Sequence, residues 1–366
     1  MSDRTEDVLS ARLVAVLSEV VVRPDGLSAS VGGRTVTADS PRTLVGRLAT
    51  ALYEVVHVGR PAVQPEETRN APDIVRDLEA GLAREVPHER TRYRGPVLSD
   101  RGDEGRIVGL SGVRVRVPRE RIAAPHAAAA TAAAGTSASA AASAAAAGTS
   151  AGASAGASVD VGAREPTSSG EETADVFVAA ARPALSPGFF LVDGSLPLTG
   201  RGAVLRVYLH VTSPDAAVDA WGRSLRCLEE AGVPYRAKAI SSTDALPRRD
   251  GVVIYLEGSG HHVLPDLVGA VGEAALGADC SPYTRSLAPG IAVAWEPDDS
   301  RPGMRNTSFG EHRSRALATG LIRYATEADL PDRTRSAVVR QALLDAGIDP
   351  SEPARNLFSP PFKTVP

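Results

Sequence analysis

Three short runs between Val204 and Glu257 decide how this chain folds: VLRVYLHV (204–211), YRAKAIS (235–241) and LPRRDGVVIYLE (246–257), with a helical segment between the first two. The order reads as strand, helix, strand, turn, strand. In the first run Val207, Leu209 and Val211 fall on one face, while Arg206, Tyr208 and His210 fall on the other, because successive strand side chains alternate. That second face sets a cation, a phenol and an imidazole in a row, spaced by about 7 Å. The next strand brings Lys238, and the one after it follows Arg248, Arg249 and Asp250 and carries Tyr255. An amine, an imidazole, two phenols and several guanidiniums within 50 residues form the makings of an anion-binding pocket.

The helix between them, SPDAAVDAWGRSLRCLEEAGV, is capped by Ser213, takes Pro214 in its first position and is followed by Gly232. Val218, Trp221, Leu225 and Leu228 make its apolar stripe, with Cys227 beside them. Upstream, DVFVAAARPAL and PGFFLVDGSL feed the core, and SLPLTGRGAVLRVYLHVT reads as a hairpin turning near Gly200 and Gly202. Downstream come a helix from HHVLPDLVGAVGEAAL and a strand in SPYTRSLAPGIAVAWEP. Two helices follow, in TSFGEHRSRALATGLIRYATEA and RTRSAVVRQALLDAGI. His261 and His262 read as a helix start, His312 as a surface residue, and Trp221 and Trp295 as core.

The N-terminal part is simpler. Val8, Leu9, Leu13, Val16 and Leu17 recur at helical spacing. A glycine-turned hairpin follows in VVVRPDGLSASVGGRTVTA, then a helix from Pro41 capped by Ser40 and another over 70–86. HERTRYRGPVLSDRGDEGR is a mixed-charge run, and IVGLSGVRVRVP alternates like a strand. Residues 123–171 are an Ala/Ser/Gly run without large apolar groups to bury, which reads as a disordered tether. Together these give an α+β protein with a mainly antiparallel sheet flanked by helices. Its parts are an N-terminal helical and hairpin part (1–122), the flexible linker (123–171) and a C-terminal part (172–366) that carries the site.

Composition narrows the function. The net charge is -4, which argues against a general grip on nucleic acid or an anionic membrane. Cys227 and Cys280 have neither metal spacing nor a disulfide framework, and no signal peptide or membrane span is legible, so a cytoplasmic protein is expected. The acidic residues near the expected pocket (Asp250, Glu257, Asp298, Asp299, Glu311) form no recognisable metal-ligand run, and no cofactor motif appears. Around Ser308, Arg305 and Arg313 add cations to a helix N-terminus, a second anion-binding feature. A metal-independent reaction on a phosphorylated substrate fits, and β-elimination is one: a neutral lysine removes the α-proton of phosphoserine or phosphothreonine, and a histidinium protonates the leaving phosphate.

The series RVYLHV, YRAKAIS, RRDGVVIYL, PYTRSLAPGIAVAWEP, TSFGEHRSRALA resembles the HopA-type effector domain family over roughly residues 180–330. The order His, Lys, Arg, Tyr and distal arginines also resembles the phosphothreonine lyases. The two likenesses meet in the lyase components of class V lanthipeptide synthetases. The resemblance implies Lys238 as base, His210 as acid, Arg249, Arg305 and Arg313 around the phosphate, and Tyr208 and Tyr255 orienting it, with Arg206 or Arg248 assisting. It also implies a leader-bearing precursor peptide phosphorylated by a lanthipeptide kinase, with a cyclase as a further partner, and dehydroamino acids as products. The motif around Lys238 departs from that of the phosphothreonine lyases. The other reading is a non-catalytic HopA-like module that binds the precursor or the kinase.

Overall fold

The computed structural model describes residues 9–60, 72–102, 105–110, 113–122, 172–183, 186, 188–304, 307–327 and 334–362. The linker 123–171 and Arg305 lie outside the described residues.

Helix α1 (Ala11–Glu19) leads into a three-stranded sheet, β1 (Val20–Val22), β2 (Ser28–Val31) and β3 (Arg34–Thr37), where the sequence suggested only a hairpin. Helix α2 (Pro41–Leu52) starts as its sequence dictates: the Ser40 hydroxyl accepts from Thr43 N, and Pro41 occupies the first turn. Its last turn widens into a π-helix over Tyr53–Val58 that Gly59 ends in a left-handed conformation. Helix α3 (Pro72–Arg84) follows.

The mixed-charge run is a strand, β4 (Arg90–Asp100). Its charged residues did not disqualify it because Arg90, Arg92 and Asp100 stand exposed while Thr91 and Gly95 point inward. With β5 (Arg106–Leu110), β6 (Val113–Val117) and β7 (Thr173–Ala179) it makes a four-stranded sheet in the order β6-β5-β4-β7.

The central sheet has six antiparallel strands. They are β8 (Phe189–Asp193), β9 (Val204–Val211), β10 (Tyr235–Ile240), β11 (Arg248–Glu257), β12 (Arg285–Ala288) and β13 (Ile291–Trp295), in the order β12-β13-β9-β11-β10-β8. Helix α4 (Pro214–Glu230) carries the chain from β9 to β10 and buries Trp221, Leu225 and Leu228 against one face; α5 (Leu264–Gly272) packs beside it. The hairpin expected around Gly200 and Gly202 does not form: β8 pairs with β10 at the sheet edge, and both β10 and β11 lie between it and β9. Pro197, lacking an N–H, interrupts the run that would have paired with β9. Residues 195–203 are instead a loop held by Glu257.

The other face of the sheet is covered by the π-helical turn and by α6 (Phe309–Thr326), against which α2 and α7 (Arg335–Asp345) pack. One apolar core runs from Leu9 through α2, the six-stranded sheet and α6 to Phe362, so the N-terminal helices share a core with the C-terminal part. Among the described residues no helix is long and apolar enough to cross a membrane.

Candidate functional site

The register of the sheet fixes which side chains can meet. Lys238 pairs with Val253, and Val253 with Tyr208, while Arg236 pairs with Tyr255, and Tyr255 with Arg206. Cross-strand partners share a face, so Lys238, Tyr208, His210, Tyr255, Arg206 and Arg236 all lie on the face opposite α4. The alternation in VLRVYLHV predicted this for β9, and pairing extends it to β10 and β11.

Salt bridges tie the arginines of this face down. Arg206 grips Glu296 with two N–H donors and stacks over the Tyr255 ring at 5.0 Å. Arg236 donates to Asp193 at 2.6 Å, and that carboxylate, 1% exposed, also takes the Tyr93 hydroxyl and lies 3.3 Å from Arg182. Past a break in register between Arg248 and Val252, Arg248 forks onto Asp250 at 2.6 and 3.1 Å and donates to the Tyr53 hydroxyl at 2.8 Å. Burial alone would raise Asp250, but Arg248, then His57 and Lys238, hold it below the usual carboxylate range.

Lys238 differs. Among the described residues it has no carboxylate within ion-pair distance, and its ammonium sits 4.2 Å from the centre of the Phe189 ring, a ring that Arg248 also faces at 5.4 Å. Of 40 basic residues in the chain only Lys238 and Lys363 are lysines. In a chain that otherwise uses arginine, half-buried Lys238 places an amine among the guanidiniums of the polar face. The sequence carried this signal in its composition.

His57, on the π-helical turn, was not singled out by sequence. It is 2% exposed, its Nδ1 shares a 2.9 Å hydrogen bond with the Ser281 hydroxyl, and its Nε2 lies 3.8 Å from Asp250. Its ring packs against Tyr53, Tyr208, Tyr283 and Phe309, and burial lowers its pKa to about 4. Lys238 and His57 thus both act on the charge of Asp250, and His57 also packs against Tyr208 of β9.

His210 lies beyond them. Its Nδ1 donates to the Asp279 carbonyl at 3.0 Å, and the backbone of Gly277 presses so closely that a Cβ there would stand 2.4 Å from the imidazole. The charges acting on it are Arg249 and Asp279, and burial lowers its pKa. Arg249 donates to the Val56 carbonyl at 3.0 Å and lies 3.6 Å from Asp279. The expected residues thus form two groups on one face: Lys238, Tyr255, Arg206 and Tyr208 with Arg236 and Arg248, and His210 with Arg249.

Arg313 joins neither. It is fully buried, donating to the carbonyls of Pro353 and Arg355, to Asn356 Oδ1 and to His312 Nδ1. The guanidinium expected to hold phosphate instead fastens the segment after α7. His312, expected at the surface, is 1% exposed and donates from Nε2 to Asp299 at 2.9 Å. Nor is the α6 N-terminus open to an outside anion: Ser308 and Glu311 close a capping box on it. Among the described residues no group of three or more His, Cys, Asp or Glu side chains could hold a metal ion.

Comparison with known proteins gives this face a relative. Residues 180–355 match the HopA1 effector protein family. This part of the chain is a HopA1 effector-family domain. Two solved structures are similar to the chain, both effector proteins of Pseudomonas syringae. The one from pv. tomato strain DC3000 has a TM-score of 0.36 and 16% identity over 48% of this chain and 66% of that one. The one from pv. syringae strain 61 has a TM-score of 0.34 and 16% identity over 46% and 62%. The chain thus spans less than two thirds of either effector. No curated protein matches it. The HopA1 domain contributes every strand of the central sheet, whereas Tyr53 and His57 reach it from outside the matched residues.

Proposed function

We propose that the chain is a phosphoserine/phosphothreonine lyase, a carbon–oxygen lyase acting on phosphates. It eliminates phosphate from a kinase-phosphorylated precursor peptide in lanthipeptide biosynthesis. The observation that carries the reading is Lys238: an amine without a carboxylate partner, on the same sheet face as His210, Tyr255 and a row of arginines. In its neutral form Nζ of Lys238 takes the α-proton. The electron pair left behind forms the Cα–Cβ double bond, the Cβ–Oγ bond breaks, and phosphate leaves with that oxygen, giving dehydroalanine or dehydrobutyrine. Protonated on both nitrogens, the His210 imidazolium supplies a proton to the leaving phosphate from Nε2, the nitrogen that its bond to Asp279 leaves over. Base and acid stand two strand spacings apart across the sheet and two residues apart along it, about 12 Å between their backbones, a gap bridged by the phosphorylated side chain. Arg249 and Arg236 at the rim, with Arg206, Arg248, Tyr208 and Tyr255 behind them, supply the field that stabilises departing phosphate. The partners are the leader-bearing precursor, a lanthipeptide kinase and a cyclase, in the cytoplasm.

A second reading, a non-catalytic module binding the precursor or kinase, is favoured by the fact that Arg206, Arg248 and Arg313 already have internal partners. Incubation with a phosphothreonine peptide, with and without the cognate leader and kinase, separates the two. The lyase reading expects loss of one phosphoric acid from the peptide mass, and an unchanged peptide in every case supports the binding module.

A further inference from the structure

Where β9 begins and β11 ends, a cavity of about 430 Å³ opens between the 199–203 loop, His261, Trp295 and Pro360. Its outer wall is preformed. Glu257, 4% exposed, accepts hydrogen bonds from Thr199 N at 3.0 Å, Thr199 Oγ1 at 2.7 Å and Gly200 N at 2.6 Å, which fixes the loop.

Two polar atoms on the opposite wall are unspent. Trp295 is 1% exposed and its indole Nε1–H has no partner, whereas the other indole, Trp221, donates to the Leu82 carbonyl at 3.1 Å. His261 is half-buried, and its Nε2 is shut off from solvent and unpartnered. The imidazole's other nitrogen bonds to the Leu256 backbone, and burial lowers the pKa, so the ring is neutral with Nδ1 protonated and Nε2 a bare acceptor. The rings stand edge to face at 5.2 Å without satisfying one another. Buried donors and acceptors without partners are rare enough to call for a ligand or an ordered water.

We propose that this cavity binds a secondary amide carrying an apolar side chain, as one residue of a peptide presents it. The amide carbonyl accepts from Trp295 Nε1–H, its N–H donates to His261 Nε2, and the side chain lies against the indole and Pro360. A carboxylate sets its charge against the His261 lone pair, and a hydrocarbon leaves both nitrogens unpaired. Trp295 pairs with Leu205, on the side of β9 that faces α4, so its indole lies on the sheet face away from Lys238 and the amide site stands independently of the function proposed above.

The test uses the full-length ¹⁵N-labelled protein, whose two tryptophans give two indole N–H signals, with Trp295→Phe assigning them and Trp221 as internal reference. N-acetyl-leucine N-methylamide is expected to shift the Trp295 signal saturably and leave Trp221 in place. N-acetyl-leucine as its carboxylate, and toluene, are expected to bind at least about tenfold more weakly, and His261→Phe to abolish the preference. Absence of a saturable Trp295 shift with any probe, or equal response to amide and toluene, overturns the proposal. No phosphate is present, so neither result bears on whether the chain is a lyase, and an inactive chain would leave the amide site standing.

Discussion

The Tyr53 hydroxyl accepts a hydrogen bond from Arg248 Nη2 at 2.8 Å, joining two residues 195 positions apart. The same hydroxyl lies 3.4 Å from the Asp250 carboxylate that Arg248 grips. A residue outside the matched HopA1 residues therefore holds the Arg248–Asp250 ion pair, whose carboxylate feels the charge of Lys238, and the N-terminal part lines the candidate site. Tyr53→Phe should lower stability by about 1–2 kcal/mol, because it strips a buried guanidinium of one acceptor. Urea titration with a shared m-value reads this directly. Residues 172–366 alone should show no cooperative unfolding transition, since Leu44, Leu48 and Leu52 share their core with α6.

Gly310 lies in the first turn of α6, and a Cβ there would stand 2.2 Å from His57 Cδ2. In an open helix Gly→Ala stabilises by about 1 kcal/mol; here Gly310→Ala should instead destabilise by about 1–3 kcal/mol through overpacking. Adding His57→Ala should recover part of that loss, a coupling that a thermal-denaturation double-mutant cycle would expose as non-additivity.

These contacts show what could be read from the chain and what could not. The stripe of α4, the caps at Ser213, Ser40 and Ser308, and the polar face of β9 are local patterns, legible because each rests on neighbours within four residues. The pairing of β8 with β10 is not local, and a turn-rich run such as 195–203 gives no clue that its outer flank belongs to another strand. His57 and His312 look alike in sequence to any surface histidine. Their burial follows from which helices cross, which periodicity does not encode. Arg313 was misplaced for the same reason: a guanidinium reads as a ligand for anions, while its carbonyl partners at Pro353 and Arg355 carry no signature.

Burial holds both His57 and His312 at about 4, against an ordinary 6.5. Each binds fewer protons folded than unfolded between those values, so its contribution is complete above about pH 6.5 and is lost as pH falls towards 4. The ceiling is about 3.4 kcal/mol per histidine. Asp250 and Asp299, held below their usual range, act with the same sign lower down, beneath pH 3.8. Unfolding free energy should therefore drop between pH 6.5 and 4.5, and the His57→Gln/His312→Gln variant should follow a flatter curve.

Arg313→Met should cost at least about 2 kcal/mol, because the Pro353 and Arg355 carbonyls lose buried donors. Hydrogen exchange should rise in residues 348–362 while remaining protected in β9 and β11. Were Arg313 a phosphate ligand, the substitution would weaken peptide binding and leave that exchange pattern unchanged.

The account turns on Lys238 as a proton acceptor, and Lys238→Arg tests it most directly, since it keeps the cation over Phe189 and removes the ability to deprotonate. With a phosphothreonine precursor and its kinase, the wild-type protein should yield a peptide lighter by one phosphoric acid. Lys238→Arg, with an unchanged unfolding curve, should lose that conversion by at least about a thousandfold. Elimination by Lys238→Arg at a rate near that of the wild type would contradict the account.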